Sequence, residues 1–494
     1  MSTRAVIAAG HPLTAEAGAR VLREGGNAVD AAVGAALVST AAEPLLTGLG
    51  AGGYLLVAGP GVEPTVLDFF VAAPGRDAPS ADRAPLEAVD VDFGDAVQVF
   101  NVGPASCGVP GVPAGLAAAL ERWGTWPLAE LAAPAARLAR AGVALNAAQA
   151  FIAFNLSPIM RSTPECAALW APGGRLLQEG DVMHNEELAE TLELFGREGA
   201  APFYDGEIGH AMADLVVERG GLLTREDLRD YQAIPRAPAR VRYRDREVLT
   251  NPPPSAGGIL LAYSLGRLHR RAASPPALAD VLEAMEAAQA ERSPEFTASL
   301  DEPGFMDRFL GSRLGATTHL SVLDANGLAA SVTCTNGEGS GVLVPGTGIH
   351  LNNVMGEEDL SPQGFHQDPP GRHMPSMMAP TVVLDADGEV ELVLGSAGSN
   401  RIRSALLQTI VGAVDNGLDA HSAVVAPRMH VEAGHLYVEP GVALEELGDV
   451  GHEVVRFRSP NVFFGGVQAI HHDPRTGEVT GAGDPRRGGV AVEV

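Results

Sequence analysis

The chain has 494 residues, 46% of them hydrophobic and 19% charged, which is typical of a globular protein with one large layered fold or two to three domain-sized units. Its formal net charge of −27 argues against binding to nucleic acid or to an anionic membrane, because both need a basic face on the protein. All 34 Lys and Arg residues are arginine, so pyridoxal and other lysine Schiff-base chemistry and a phosphate-loop lysine are excluded.

The cysteines and the N-terminus bear on the cellular compartment. Cys107, Cys166 and Cys334 are far apart in the chain, which predicts reduced thiols rather than a disulfide framework or a cysteine zinc site. Residues 1–10 lack the long apolar core of a signal peptide, and no run of about 18 apolar residues follows. We therefore predict a cytoplasmic protein without a membrane span.

In chain order, the first elements are a strand at 5–9, a helix from Thr14 that stops at Gly25-Gly26, and a second helix capped by Asn27. A glycine-rich loop at 48–53 then enters a strand at 54–57. Because a dinucleotide fingerprint runs strand, glycines, helix, this order disfavours nucleotide binding. For the following residues we predict a strand at 64–70, an irregular stretch at 72–95, helices at 113–123, 128–141 and 222–231, broken helices over 185–218, one strand at 239–249, a loop at 251–258 entering a helix, a helix at 276–290 and a linker at 291–316.

The next stretch has the pattern of a β-hairpin, with strands at 317–324 and 328–335 around the turn Asn326-Gly327. Thr317 stands at its head. A hydroxyl residue there can cut the peptide bond before it and become a new chain terminus, whose α-amine, with a pKa of about 7.7–8.0, can act as a base. Ordinary β-propensity also explains a threonine pair at a strand start, so the hairpin leaves both interpretations open.

Beyond the hairpin, the pattern again predicts loops, strands and one helix. These are a glycine loop at 336–341, an acidic and proline-rich loop at 356–376, strands at 380–385 and 390–394, a glycine turn at 395–401 that opens a helix at 401–416, and mostly short strands in the tail. Helices therefore cluster before Thr317 and strands after it, which favours a layered α+β fold with antiparallel sheet.

A series of short motifs runs through most of both halves of the chain. They include His11-Pro12-Leu13, residues 25–32, Glu43-Pro44, residues 48–53, residues 108–111, residues 252–258, Thr317-Thr318-His319, Leu351-Asn352-Asn353 and Asp484-Pro485-Arg486. Each motif is weak, but the ordered set resembles the gamma-glutamyltranspeptidase family of N-terminal-nucleophile hydrolases. The resemblance implies a four-layer αββα sandwich, made as a precursor that cuts itself into 1–316 and 317–494, which stay together as a heterodimer.

The resemblance also implies roles for individual residues. Thr317 matches the nucleophile, with its own α-amine as the general base, and Thr335 matches a threonine that orients the nucleophilic hydroxyl. Gly398 and Ser399 match the pair whose backbone N–H groups form the oxyanion hole, which suits a loop that opens a helix. Ser376 matches the first of two serines in the substrate pocket.

Departures from the family pattern concern the groups that would hold a glutamyl substrate. Asp68-Phe69 fits the family's Asp-Phe-Arg, but Phe70 replaces the arginine that would clamp the α-carboxylate. The aspartate that would take the α-ammonium falls at Gly356, with Glu357 beside it. Phe70 fits either an apolar acyl pocket or simple core packing.

Two further substrate positions also differ. The second pocket serine falls at Met377, and the pocket asparagine is displaced to Asn336. Removing one partner of a buried charge pair costs roughly 2–5 kcal/mol, so a glutamyl headgroup would bind poorly unless Arg372, Arg401 or Arg403 reaches it. Phe70 and Met377 together favour a more apolar acyl group.

Three functions remain open from the sequence. The first is a self-processing threonine amidohydrolase that cleaves an amide or γ-glutamyl bond and passes the acyl group to water or an amine. The second is an acylase on a non-glutamyl amide, such as a glutaryl or β-lactam side-chain amide, and the third is an unprocessed scaffold that binds a ligand without turnover. We interpret His319 as a hairpin residue, because the α-amine already supplies a base, and we predict neither cofactor nor metal, because the histidines lack HxxxH spacing.

Overall fold

Two antiparallel sheets packed face to face form the centre of the protein. The computed structural model describes residues 5–77, 83–92, 97–271, 273–291, 318–361 and 364–494. Within these residues the strands, numbered in chain order, are β1 Val6–Ala9, β2 Gly52–Gly59, β3 Val62–Phe69, β4 Glu87–Asp92, β5 Val97–Val102, β6 Val143–Ala144, β7 Val182–Met183, β8 Ile234–Arg236, β9 Ala239–Tyr243, β10 Arg246–Thr250, β11 Thr318–Leu323, β12 Ala329–Thr335, β13 Leu343–Val344, β14 Ile349–His350, β15 Thr381–Leu384, β16 Val390–Ala397, β17 Met429–Glu432, β18 His435–Val438, β19 Glu453–Arg456, β20 Gly466–His472, β21 Val479–Gly483 and β22 Val490–Glu493.

Helices cover the outer face of each sheet. In the same described ranges they are α1 Pro12–Arg23, α2 Ala28–Ala42, α3 Val112–Trp123, α4 Leu128–Ala141, α5 Ala147–Asn155, α6 Ser157–Met160, α7 Pro164–Trp170, α8 Glu186–Glu198, α9 Ala201–Tyr204, α10 Glu207–Glu218, α11 Arg225–Asp230, α12 Ala256–His269, α13 Leu278–Ala290, α14 Ile402–Val414 and α15 Ala420–Val425.

Each of the two large sheets contains strands that precede Thr317 in the chain and strands that follow it. Among the described residues, one sheet has seven strands in the order β22-β1-β11-β12-β2-β3-β8, and the other has six in the order β21-β20-β16-β15-β10-β9. The predicted hairpin β11–β12 therefore lies in the middle of the first sheet, between β1 and β2. Strands from 1–316 and from 317–494 are hydrogen-bonded neighbours in both sheets, so the two parts are interlocked.

Three apolar clusters separate four layers. Helices α1–α4 and α8 pack on the outer face of the first sheet, where Val29 of α2 and Val322 of β11 share one cluster. Leu56 and Val393 belong to the cluster between the sheets, and Leu392 shares the third cluster with α12 to α15. This αββα arrangement explains why all residues of α2 are buried, since that helix lies between a sheet and other helices.

Local signals account for several element boundaries. Asn27 forms a capping box with Asp30 at the start of α2, as its position before an apolar run predicts. At the β11–β12 turn, Asp324 Oδ1 accepts hydrogen bonds from the backbone N–H groups of Asn326 at 2.8 Å and Leu328 at 3.1 Å. Gly327 has φ +83°, a conformation that glycine adopts without a steric penalty.

Two of the predicted elements are wrong. The stretch 72–95, expected to be irregular, contains β4, which pairs with β5 in a small hairpin. The single strand expected at 239–249 is instead the hairpin β9–β10, which turns at Arg244, where φ is +57°. Alternating side chains continue on both sides of this turn, so periodicity by itself does not reveal it.

The predicted division into helices before Thr317 and strands after it also needs correction. In the described ranges, α1 to α13 do precede Thr317, but the same part of the chain supplies β1 to β10. Among the described residues, no helix is both long and apolar enough to cross a membrane.

Candidate active site

A partly open cleft lies where the end of β12, the start of α14 and the C-terminal part of the chain meet. We call it the Gly398 cleft. Gly398 and Ser399 form one side, Gly337 and Glu338 another, and apolar side chains such as Phe100 line the remainder. The predicted oxyanion-hole pair therefore lines the same cleft as the loop that follows Thr335.

The Gly398-Ser399 turn links β16 to α14 through an unusual backbone conformation. Gly398 has φ +120° and Ser399 has φ +56°. A Cβ on Gly398 would lie 2.5 Å from the Cα of Gly465, so the close approach of these two backbones requires glycine. Because the first N–H groups of a helix have no partner within it, this turn can offer N–H donors to developing negative charge.

The end of β12 is joined to the cleft through its own backbone. Thr335 is buried, and its Oγ1 accepts a hydrogen bond from the N–H of Gly337 at 2.8 Å. The next residue, Asn336, is also buried and donates from Nδ2 to the carbonyl of His350 at 3.2 Å. Both residues predicted at this site therefore help to hold the loop that lines the Gly398 cleft.

The start of β11 is anchored by a buried carboxyl group. Thr317 lies outside the described residues, but Thr318 follows it directly. Thr318 Oγ1 donates to Oε2 of Glu43 at 3.1 Å, and Thr14 Oγ1 donates to Oε1 at 2.7 Å. Burial raises the pKa of Glu43, although these hydrogen bonds act in the opposite direction. Sequence reasoning gave Glu43 no such role; its place in the Glu43-Pro44 motif was the available signal.

His319 belongs to a hydrogen-bonded group inside the sandwich. Its Nδ1 lies 2.8 Å from Oγ1 of Thr333, and its Nε2 lies 2.9 Å from Oγ of Ser321. Ser321 in turn donates to the carbonyl of Gln468 on the opposite sheet at 3.0 Å. Burial lowers the pKa of His319 to about 3, so a neutral ring connects the hairpin to the second sheet.

We expect the protein to lose stability as the pH falls from 6.5 to 5. Burial lowers the pKa of His319 to about 3, and burial is the main reason that the pKa values of His350 and His430 fall to about 4. Below pH 6.5 the unfolded state binds protons that the folded state does not, so each histidine lowers the free energy of unfolding by up to about 1.4 kcal/mol per pH unit. Urea unfolding at several pH values measures this slope. His319→Gln should make it shallower and the exposed His435→Gln should not, whereas equal stability at pH 7 and pH 5 would contradict the expectation.

Three predicted substrate residues lie in the core between the sheets. Phe70 is 1% exposed and stacks on Tyr54 with ring centroids 5.6 Å apart, and Met377 is fully buried in the same apolar cluster. Ser376 is also buried, and its Oγ accepts from the N–H of Met378 at 3.0 Å. None of the three is among the described residues that line the Gly398 cleft. The burial of Phe70 and its stacking on Tyr54 fit core packing, one of the two interpretations of this residue.

The region of the expected ammonium site also differs from the family pattern. A Cβ on Gly356 would lie 2.1 Å from the carbonyl oxygen of Asn101, which leaves no room for an aspartate there. Glu357 lies beside the loop that lines the cleft instead: its Oε1 is 2.6 Å from where a Cβ of Gly337 would be. The Asp68 carboxylate accepts from Nε of Arg236 at 2.7 Å and pairs with His373, as part of the protein interior.

Of the three arginines considered as replacements for the missing clamp, Arg401 lines the Gly398 cleft. Its Nε donates to the carbonyl of Phe463 at 2.9 Å, and its guanidinium lies 4.5 Å from the centre of that ring. Arg372 pairs with Asp368, and Arg403 donates to the carbonyl of Asn400. The lining also includes Arg487 and Glu338, to which the sequence motifs assigned no role. Arg487 directly follows the Asp484-Pro485-Arg486 motif.

In the part of the chain that the structure describes, no three His, Cys, Asp or Glu side chains are grouped so that they could hold a metal ion. The cysteine thiols are buried, and burial raises the pKa values of Cys107 and Cys334 to about 12. These thiols are therefore protonated at neutral pH and are poor nucleophiles.

Sequence comparisons identify the relatives of this chain. The family model described as gamma-glutamyltranspeptidase matches residues 14–310 and 307–494. The acylase ACY 1 proenzyme of Pseudomonas sp. (strain SE83) is 33% identical over 534 residues, which cover 100% of this chain and 94% of that protein. The glutathione hydrolase proenzyme of Bacillus subtilis (strain 168) is 30% identical over 555 residues, which cover 99% of this chain and 91% of that protein.

Comparison with solved structures confirms the predicted αββα fold of the N-terminal-nucleophile hydrolases. Cephalosporin acylase from Bacillus halodurans matches with a TM-score of 0.82 at 24% identity, over 99% of this chain and 96% of that one. The gamma-glutamyltranspeptidase of Helicobacter pylori matches with a TM-score of 0.50 at 30% identity, over 57% of this chain and 80% of that one. The family consists of hydrolytic and acyl-transferring enzymes, and the chain belongs to the gamma-glutamyltranspeptidase family of N-terminal-nucleophile hydrolases.

Proposed function

We propose that this protein is a self-processing threonine amidohydrolase that acts as an acylase on short acyl amides, with Thr317 as its nucleophile. The observation that carries the proposal is the shared lining of the Gly398 cleft. Gly398 and Ser399 at the start of α14 face the same space as Gly337, whose N–H is bonded to Thr335. The predicted oxyanion pair thus borders the same cleft as the loop that Thr335 holds, although the two segments are far apart in the chain.

Maturation begins with cleavage of the bond before Thr317. The products, 1–316 and 317–494, remain associated as a heterodimer, because strands of the two products are hydrogen-bonded neighbours in both sheets. Glu43 belongs to the first product and Thr318 to the second, and their side chains share a buried hydrogen bond. Relatives of this chain carry the name proenzyme, which supports a precursor that is processed.

The reaction proceeds through an acyl-enzyme. Thr317 Oγ attacks the amide carbonyl, its proton moves to the α-amine of Thr317, and the C–O bond forms as the carbonyl oxygen becomes negative. The N–H groups of the Gly398-Ser399 turn stabilise this oxyanion. The amine product takes the proton as the C–N bond breaks. Water then attacks the ester with the same α-amine as base, the bond between the acyl carbon and Thr317 Oγ breaks, and the carboxylic acid leaves as the amine returns the proton to Oγ.

A γ-glutamyl hydrolase or transferase is the second candidate, and the position of Glu357 favours it. The carboxylate approaches Gly337 at the border of the cleft, where it could accept an α-ammonium group. However, the family's arginine and aspartate positions are occupied by the buried Phe70 and by Gly356, which has no space for a side chain. We therefore prefer the first candidate, an acylase whose substrate has no α-ammonium group on its acyl part.

The test combines a denaturing gel with a substrate panel. We expect two bands from the purified protein, with Thr317 as the first residue of the smaller chain, and faster hydrolysis of glutaryl-p-nitroanilide than of γ-glutamyl-p-nitroanilide. The opposite preference would favour the γ-glutamyl function. One intact band after long incubation, with neither anilide hydrolysed, would support a scaffold that binds a ligand without turnover.

A further inference from the structure

The Gly398 cleft has a local charge opposite to that of the protein. The chain carries a formal net charge of −27. Among the described residues that line the cleft, the charged side chains are two guanidinium groups, from Arg401 and Arg487, and one carboxylate, from Glu338. An anion entering this cleft would therefore meet an excess of positive charge close to the expected oxyanion site.

Arg487 brings its guanidinium next to the oxyanion turn. It lies at the end of the 3-10 turn Pro485–Arg487, and its side chain runs along Gly466. Its Nη2 donates to the carbonyl of Val462 at 3.2 Å and lies 3.7 Å from where a Cβ of Gly398 would be. Burial, with a further contribution from the nearby Arg401, lowers the pKa of Arg487 to about 10, so the group stays charged at neutral pH.

Donor groups in the cleft also lack acceptors. Within the described residues, Nε of Arg487 and Nδ2 of Asn155 are buried without a hydrogen-bond partner. Leaving a buried donor unpaired is unfavourable, by roughly 1–3 kcal/mol and more for a charged group. A bound group with several acceptor oxygens would satisfy such donors, and a carboxylate matches the planar guanidinium geometry particularly well.

We propose that Arg487 is a specificity-determining residue that binds a terminal carboxylate on the acyl group of the substrate. This inference rests on the proposed amidohydrolase function and names its substrate class, the amides of short dicarboxylic acids. Leu45, Phe100 and Phe463 supply apolar surface for the methylene chain between the scissile carbonyl and the carboxylate. The neighbouring Arg401, held by Phe463, adds a second positive charge.

The kinetic test compares two acyl groups of equal length. Glutaryl-p-nitroanilide ends in a carboxylate, and pentanoyl-p-nitroanilide ends in a methyl group. For Arg487→Leu we expect kcat/KM on the glutaryl substrate to fall by at least about 30-fold, with less than a threefold change on the pentanoyl substrate. Arg487→Lys keeps the charge but not the planar fork, so its kcat/KM on the glutaryl substrate should lie between those of the wild type and Arg487→Leu. The exposed Arg475→Leu should match the wild type on both substrates.

Binding of the free acids provides a second readout that needs no turnover. Calorimetry with glutarate and pentanoate should show that Arg487→Leu weakens glutarate binding by at least about 30-fold and leaves pentanoate binding unchanged. A gel of each variant checks that it matures into the same two chains as the wild type.

Each result separates this inference from the proposed function. Equal losses on both anilides would overturn the inference, because Arg487 would then stabilise the oxyanion or the fold for every substrate. Unchanged glutarate binding in Arg487→Leu would also overturn it, even in an active enzyme. If the wild type neither matures nor hydrolyses an anilide, the amidohydrolase function fails, and glutarate binding still decides whether Arg487 holds a carboxylate.

Discussion

Thr317→Ala is expected to leave the protein as one intact chain with no measurable amide hydrolysis. In the proposed function the same Oγ cuts the precursor and attacks the substrate, so alanine removes the nucleophile of both reactions. Loss of a catalytic nucleophile lowers kcat by roughly four orders of magnitude or more. A denaturing gel, N-terminal sequencing of the bands and turnover of glutaryl-p-nitroanilide measure the two effects together.

Thr317→Ser is the matched control for this variant. It keeps a hydroxyl and an α-amine on the same residue, so it should mature into 1–316 and 317–494 and retain part of the activity. Circular dichroism and thermal unfolding of Thr317→Ala check that the uncleaved chain is folded. Cleavage before residue 317 in Thr317→Ala, or turnover close to that of the wild type, would show that another group is the nucleophile.

Asp484→Ala is expected to destabilise the protein by about 3–5 kcal/mol, because it removes the carboxylate that pairs with the buried Arg428 and one of the two that pair with the buried Arg486. Asp484 pairs with Nη1 of Arg428 at 2.7 Å and with Nη1 of Arg486 at 3.2 Å, and all of these side chains are nearly inaccessible to water. Glu439 binds the other edge of the Arg486 guanidinium through Nε at 2.7 Å. Asp484 also accepts from the N–H of Val467, so its loss disturbs the start of β20.

The pH dependence of this network has a definite sign. Burial acts to raise the pKa of Asp484, but Arg428 and Arg486 outweigh it and hold the pKa below its ordinary value. The stabilisation is therefore present above the unfolded pKa of about 3.9 and is lost as the pH falls through the lower folded value. At neutral pH, urea unfolding of Asp484→Ala should show the full loss.

The exposed Asp387→Ala, in the β15–β16 turn, is the control for Asp484→Ala. The side chain of Asp387 lies on the surface, where substitutions usually change the free energy of unfolding by less than about 0.5 kcal/mol. If Asp484→Ala unfolds at the same urea concentration as Asp387→Ala, the buried arginines do not depend on this carboxylate. Replacement of the whole network by apolar residues is a different experiment and need not be destabilising.

Much of the secondary structure follows from short-range signals. The Asn27 cap, the Asn326-Gly327 turn and the Thr224 cap of α11 each depend on hydrogen bonds within a few residues, so the sequence predicts them correctly. The β9–β10 turn was missed because Arg244 is not a typical residue at positive φ. For β4, pairing with β5 outweighs a local composition that favours irregular structure.

The same distinction between short-range signals and long-range contacts applies to the candidate site. The sequence by itself determined the family motifs, the place of Thr317 before a hairpin, and the glycine turn before α14, because each is a contiguous pattern. The tertiary structure decided that Phe70 and Met377 belong to the core, that His319 joins two sheets, and that Arg487 approaches Gly398. Those contacts join segments far apart in the chain, and they exist because two sheets must bury their facing sides against each other. No local pattern encodes which distant side chain fills a given space.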